Sequence, residues 1–118
     1  MASHNELGRI GEAMAKTFLE ERAFNILHLN WKHSYYEIDI IASKTGILHF
    51  IEVKTRRSQR FGLPEESVDQ KKLEKMMNAA DEFLYQFPGW ERIQYDILSI
   101  SVGNNDIPDF FFIEDVYL

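Results

Sequence analysis

Asp39, Glu52 and Lys54 are three residues whose types and spacing could do chemistry together. They lie in "YEIDIIASKTGILHFIEVK" (Tyr36–Lys54), two apolar runs joined at Lys44-Thr45-Gly46. With Thr45-Gly46 as a two-residue hairpin turn, Ile40 faces Ile51 and Ile38 faces Val53 on one side of a sheet. On the other side Ile41 faces Phe50, Asp39 faces Glu52 and Glu37 faces Lys54. A slip of one pair leaves the acids diagonal neighbours, still within reach of a shared ion. Opposed carboxylates about 5 Å apart repel by roughly 3 kcal/mol at an effective dielectric near 20. That is a large share of the roughly 5–15 kcal/mol that holds a domain folded.

A proton, a basic neighbour or a divalent cation would offset the repulsion. If Lys54 neutralises the pair, the hairpin carries an ordinary salt-bridge ladder. Against that stand Ile38, Ile40, Ile41, Phe50, Ile51 and Val53, which make both faces largely apolar and the acids partly dry. Oxygen ligands of this kind suit Mg²⁺ or Mn²⁺, which take one or two carboxylates and keep several waters. Lys54, two residues beyond Glu52, points to the same side and could place or deprotonate an attacking water. An acid pair and a lysine around one divalent ion make a phosphodiester hydrolysis site.

The elements that must position these residues are legible along the chain. Ser3 and Glu6 are spaced as a capping box, with Asn5 a competing cap, and predict a helix from about residues 4–6 to Arg22. Its expected apolar stripe is Leu7, Ile10, Met14 and Phe18. Gly8, Gly11 and Ala15 form a groove of small residues, where another backbone or a substrate approaches closely. Phe24–Trp31, Tyr36–Ser43 and Ile47–Thr55 read as three strands. "RRSQRFGLPEES" reads as a loop. A second helix starts at Pro64 or Ser67, with an expected stripe of Leu73, Met76, Met77, Ala80, Leu84 and Phe87, and ends at Pro88-Gly89. Arg92–Val102 and Asp109–Ile113 read as a fourth strand and a fifth at an edge. The order α-β-β-β-α-β-β predicts an α/β or α+β fold, a mixed sheet covered by helices.

The 118 residues suit a single domain over 1–118. There are no cysteines, which excludes thiolate metal sites and cysteine nucleophiles and fits a reducing compartment. No stretch predicts an export signal or a membrane span, so a soluble, cytoplasmic protein without membrane partners is expected.

The net charge of −6 is unevenly spread. Residues 54–75 carry seven basic groups against four acidic ones, whereas residues 76–118 carry one basic and eight acidic. A local basic patch on an acidic protein and a solvated charged turn both fit that segment. His4, His28, His33 and His49 have no metal-ligand spacing, and His49 reads as a strand-packing residue. Ser99 and Ser101 have no neighbours that would make a nucleophile. No glycine-rich phosphate cradle follows a strand.

"EIDIIA" followed by "FIEVKTR" resembles the D…(E/D)-x-K core of the restriction-endonuclease-like nucleases. With "GRIGE", "FG-x-P", "SVDQKK" and "YDILSI" in order from Gly8 to Ile100, the chain resembles the bacterial YraN-like uncharacterised protein family. That family is similar to Holliday-junction resolvases and tRNA-endonuclease-like domains. The resemblance implies an α-β-β-β-α-β endonuclease-like core and a divalent-metal-dependent nuclease acting on nucleic acid, most readily DNA, including branched DNA. It implies Asp39, Glu52 and the Val53 main-chain carbonyl as ligands of Mg²⁺ or Mn²⁺, and Lys54 in the water-activating position. Glu12 matches a first-helix acid brought to the metal, its alternative being an ion pair with Lys16 or Arg9. Glu37 is an auxiliary acid or the partner of Lys54. Lys72 matches a basic residue of the second helix, and Arg9, Arg56, Arg57 and Arg60 are candidate phosphate contacts. Where the family has glycine before "EID", this chain has Tyr36, which could crowd the approach or stack on a base. A homodimer is compatible with the resemblance. The alternative function is a non-catalytic nucleic-acid- or protein-binding module, and "DFFFI" offers an edge strand for protein contacts.

Overall fold

A computed structural model describes residues 4–57, 70–103 and 107–117. The elements run α1 (His4–Glu20), β1 (Asn25–His33), β2 (Tyr36–Lys44), β3 (Ile47–Arg56), α2 (Gln70–Gln86), β4 (Ile93–Val102) and β5 (Pro108–Ile113). The five strands form one sheet in sequence order. β1, β2 and β3 are an antiparallel meander, β3 and β4 run parallel on either side of α2, and β5 returns antiparallel to β4. This is the mixed α+β sheet that the sequence predicts, in the expected order. The expected start of α2 at Pro64 or Ser67, and the loop residue Arg60, lie outside the described residues. Among the described residues no helix is long and apolar enough to cross a membrane.

The β2–β3 turn explains its register. Thr45 and Gly46 both have positive φ, 49° and 79°. That is the pairing required at the two central positions of a hairpin turn whose twist matches the strands. The ladder then runs from Lys44–Ile47 through Ile41–Phe50 to Ile40–Ile51, the predicted register. Thr45 is β-branched in a left-handed conformation, so Thr45→Asn is expected to raise stability by about 0.5–1 kcal/mol in a urea melt.

Each face of the sheet buries one helix. On the α2 side Trp31, Ile38, Ile41, Leu48 and Phe50 pack with Leu73, Met76, Ala79, Ala80 and Phe83. On the α1 side Ala15, Phe18 and Leu19 pack with Phe24, Ile40, Ala42, Ile51, Leu98 and Ile100. Both helical stripes differ from the expected ones. Ile10 is 47% exposed, and α1 seats on the sheet through Gly11 and Ala15 instead. In α2, Ala79 and Phe83 are buried, and Phe87, just beyond its end, is 44% exposed. The face turned to the sheet is therefore set by close approach of small residues as much as by large apolar ones.

Candidate functional site

The β2–β3 ladder ends at Ile40–Ile51, one pair before the acids. Ile38 and Ile40 belong to opposite core faces, and Ile41 shares the face of Ile38, so the in–out alternation of β2 breaks at Asp39. In place of a ladder partner, the Val53 N–H donates to Asp39 Oδ2 at 2.8 Å. Asp39 thus reaches one residue past its expected partner and fastens β2 to β3 through its side chain. In a strand the N–H and C=O of one residue point the same way, so the Val53 carbonyl is turned to the same gap.

Asp39 and Glu52 together line two adjoining clefts. The first, about 640 Å³, is closed on its far side by Tyr35, Tyr36, Lys72, Lys75, Met76 and Asn78, with Glu37 at its edge. The second, about 240 Å³, lies towards α1 and adds Glu12, Val53, Lys54 and Thr55. The two acids form the wall between the clefts.

Gly11 is the reason α1 can bring Glu12 there. A Cβ on Gly11 would overlap Thr55 Oγ1 and lie 2.8 Å from Thr55 Cβ and 2.9 Å from its Cγ2. The helix backbone therefore rests directly on β3. Gly8 has no such contact, since a Cβ there meets nothing within 4 Å. The close approach predicted for the small-residue groove belongs to Gly11 and not to Gly8. Glu12 Oε2 accepts from Asn30 Nδ2 at 3.0 Å, a partner the sequence reading missed.

The electrostatics follow from this crowding. Burial, then the Glu52 charge, push the Asp39 carboxyl up to about 7; Glu12 and Glu37 add to the rise, and the Val53 N–H opposes it. Glu52 is also raised, chiefly by burial, with Lys54 and Lys72 pulling it back. Lys54 is lowered by burial and by its neighbour Lys72, while Glu52 and Asp39 act the other way. Lys72 thus acts on both Glu52 and Lys54 from α2. Glu37 acts on both acids, but the groups acting on Lys54 are Glu52, Asp39 and Lys72, not Glu37 as an unbroken register would have it.

The pH dependence has a definite sign. A carboxyl at about 7 in the fold, against 3.8 in the free residue, holds its proton more tightly folded than unfolded. Its contribution to stability is full below about pH 4 and is lost as pH rises through 7. The loss is on the order of 4 kcal/mol. Metal-free protein is therefore expected to weaken between pH 5 and 8 in urea melts, and Asp39→Asn to weaken much less.

The residues fit a hard divalent cation of the kind that keeps its waters. Two half-buried carboxylates line the same pair of clefts, with the Val53 carbonyl turned to the gap beside them. Among the described residues no group of three or more His, Cys, Asp or Glu side chains is placed to hold a metal ion, so neither Glu12 nor Glu37 completes a three-acid set with this pair.

The remaining candidates are scattered. Arg9 is exposed on α1, outside the linings of both clefts. Arg56 is half-buried at the end of β3, and Arg57 is exposed just beyond it. His49, read as a packing residue, packs edge-on against Phe24 and also bonds Asp96 Oδ2 through Nδ1 at 2.6 Å, both side chains being buried. Asp96 also accepts from Gln94 and from the Asp115 N–H, which ties down the chain beyond β5. This pair is on the other face from Glu52 and serves packing. The only signal for it in sequence was one acid inside an apolar strand.

Comparison with known proteins agrees with the sequence reading. A protein of Bacteroides thetaiotaomicron is 41% identical over 105 residues, covering 89% of this chain and 86% of its own length. One of Dictyoglomus thermophilum is 41% identical over 104 residues, covering 87% and 88%. One of Flavobacterium psychrophilum is 39% identical over 100 residues, covering 85% and 84%. All three are named only as UPF0102 proteins. With residues 11–100 matching the family as a whole, the chain belongs to the uncharacterised protein family UPF0102.

Proposed function

We propose that the protein is a divalent-metal-dependent nuclease that hydrolyses phosphodiester bonds in nucleic acid. The observation that carries this reading is the meeting of Asp39, Glu52 and Lys54, from two strands that part at that point, in clefts that α1 and α2 complete. A surface salt-bridge ladder would leave the acids solvated, whereas Asp39 and Glu52 are half-buried and both are raised chiefly by that burial.

Asp39, Glu52 and the Val53 carbonyl would hold the cation. When bound, it would polarise the phosphate and acidify a water. Glu12 and Glu37 add negative charge, which makes Asp39 hold its proton more tightly and would also attract a divalent cation. Lys54, its ammonium easier to deprotonate than an ordinary lysine, would orient the attacking water and meet developing charge. Lys72 and Lys75 flank the larger cleft on the path of a phosphate backbone. Because the Asp39 proton competes with the cation, cleavage at limiting metal should rise with pH through about 7.

The direct test incubates purified protein with single-stranded, duplex and branched DNA and with RNA, with Mg²⁺ or Mn²⁺ and with a chelator. Cleavage of any of them that needs the metal supports the reading. Binding without cleavage under every metal condition would make the fold a non-catalytic module.

A further inference from the structure

The larger cleft has a wall that catalysis does not use. β1 and β2 meet in a tight turn at Ser34-Tyr35, with His33 paired to Tyr36 and Ser34 at a φ of 56°. The turn fixes Tyr35 at the tip, where it is 85% exposed. Its ring centroid is 4.8 Å from that of Tyr36, the planes tilted by 39°. Both rings line the cleft that contains Asp39 and Glu52. The tip is held against α2, where His33 Nε2 lies 3.2 Å from Glu82 Oε1. From α2, Lys72, Lys75 and Asn78 face the same space.

We propose that Tyr35 and Tyr36 form a stacking platform for an unpaired nucleobase next to the scissile phosphate, so that the substrate is single-stranded or locally unpaired nucleic acid. This rests on the nuclease reading and narrows its substrate. An exposed aromatic gains most by covering its face, and every base offers a face to cover it. Inside a duplex those faces are taken by neighbouring bases, so only a splayed-out, terminal or flipped nucleotide can supply one. Lysines beside an aromatic platform are the combination that tracks a single strand, with the ammonium groups on phosphates and the rings on bases. The Asn78 amide is in reach of the same cleft and can hydrogen-bond a base edge. A cleft of about 640 Å³ falls within the roughly 300–1,000 Å³ range of sites that enclose small organic ligands, enough for one nucleotide.

The test uses the Asp39→Asn protein, so that cleavage does not interfere. Its probe is a short single-stranded oligodeoxynucleotide carrying one 2-aminopurine, alone or annealed to its complement. The single strand should bind more tightly than the duplex, with quenching of the aminopurine fluorescence. Adding Tyr35→Ala should weaken binding by roughly tenfold and abolish the quenching. Adding Tyr35→Phe should preserve both, since the ring and not the hydroxyl does the stacking. Tyr35 sits exposed at a turn tip, and an unchanged urea melt will show that the alanine variant is folded. Equal binding and quenching with and without the Tyr35 ring would overturn the platform, as would a duplex bound as tightly as the single strand. In either case the nuclease reading stands. Failure of both forms of the probe to bind would also overturn the platform, and the metal-dependent cleavage assay on branched DNA and RNA then decides the nuclease reading separately.

Discussion

Replacing Asp39 with asparagine should abolish metal-dependent cleavage while making the metal-free protein more stable at pH 8. The two effects have one cause. Asp39 is half-buried beside Glu52, with its carboxyl at about 7, so its negative charge is costly there without a cation. An asparagine keeps the hydrogen bond to the Val53 N–H through its own oxygen and drops the charge. Its expected gain is a few kcal/mol at pH 8, about 1–2 kcal/mol at pH 5 and little below pH 4. The same change removes a ligand, and a loss of cleavage on the order of 10³-fold should follow. Lys54→Ala should also lose on the order of 10²–10⁴-fold, but with metal affinity nearly unchanged, because on the proposed reading Lys54 would act on water and charge rather than on the cation. Quantified cleavage, with urea melts of the same samples, separates these outcomes. An Asp39→Asn protein that is less stable than its parent at pH 8 would show that the carboxylate is structural. One that cleaves normally would place the chemistry elsewhere.

Gly11→Ala should be strongly destabilising, at about 3 kcal/mol or more. Its Cβ would occupy the space of the Thr55 side chain, and neither partner can give way easily. Gly11 is fixed in α1, and Thr55 is a branched residue in β3, paired with Ile100. The helix must lift, carrying Glu12 away from Asp39. Gly8→Ala, three residues earlier in the same helix, meets open space and should stabilise by about 1 kcal/mol through helix propensity alone. Thr55→Ala should rescue Gly11→Ala only in part, since the Thr55 Cβ at 2.8 Å is itself too close. Urea melts of the two glycine variants side by side check this, and equal effects would contradict the close approach of α1 to β3.

The hairpin was the most legible part of the sequence because one local feature controls it. A two-residue turn fixes the register of everything that follows, and Ile40–Ile51 falls where Thr45-Gly46 puts it. What the turn cannot announce is where the strands part. That depends on the break in alternation at Asp39 and on a side chain replacing a ladder partner. The α1 stripe was misread at Ile10 because amphipathic spacing weights large residues, whereas Gly11 and Ala15 let the helix come closest. Tyr35 went unnoticed because β1 was expected to end at Trp31, and the Ser34-Tyr35 turn lacks the glycine or asparagine that marks most such hairpins. Lys75 and Asn78 join the site only through the packing of α2 on the sheet, which no spacing within the helix reveals. The His49–Asp96 bond spans 47 residues and two parallel strands, beyond the reach of any local pattern.

The central claim is that Asp39 and Glu52 are held together to bind a divalent cation, and it can be tested without knowing the substrate. Substoichiometric Mn²⁺ added to isotope-labelled protein broadens the resonances nearest the bound ion. Broadening centred on Asp39, Glu52 and Val53, and lost in Asp39→Asn, is the expected result. Broadening confined to the acidic stretch around Asp109, Glu114 and Asp115, or unchanged by Asp39→Asn, would contradict it.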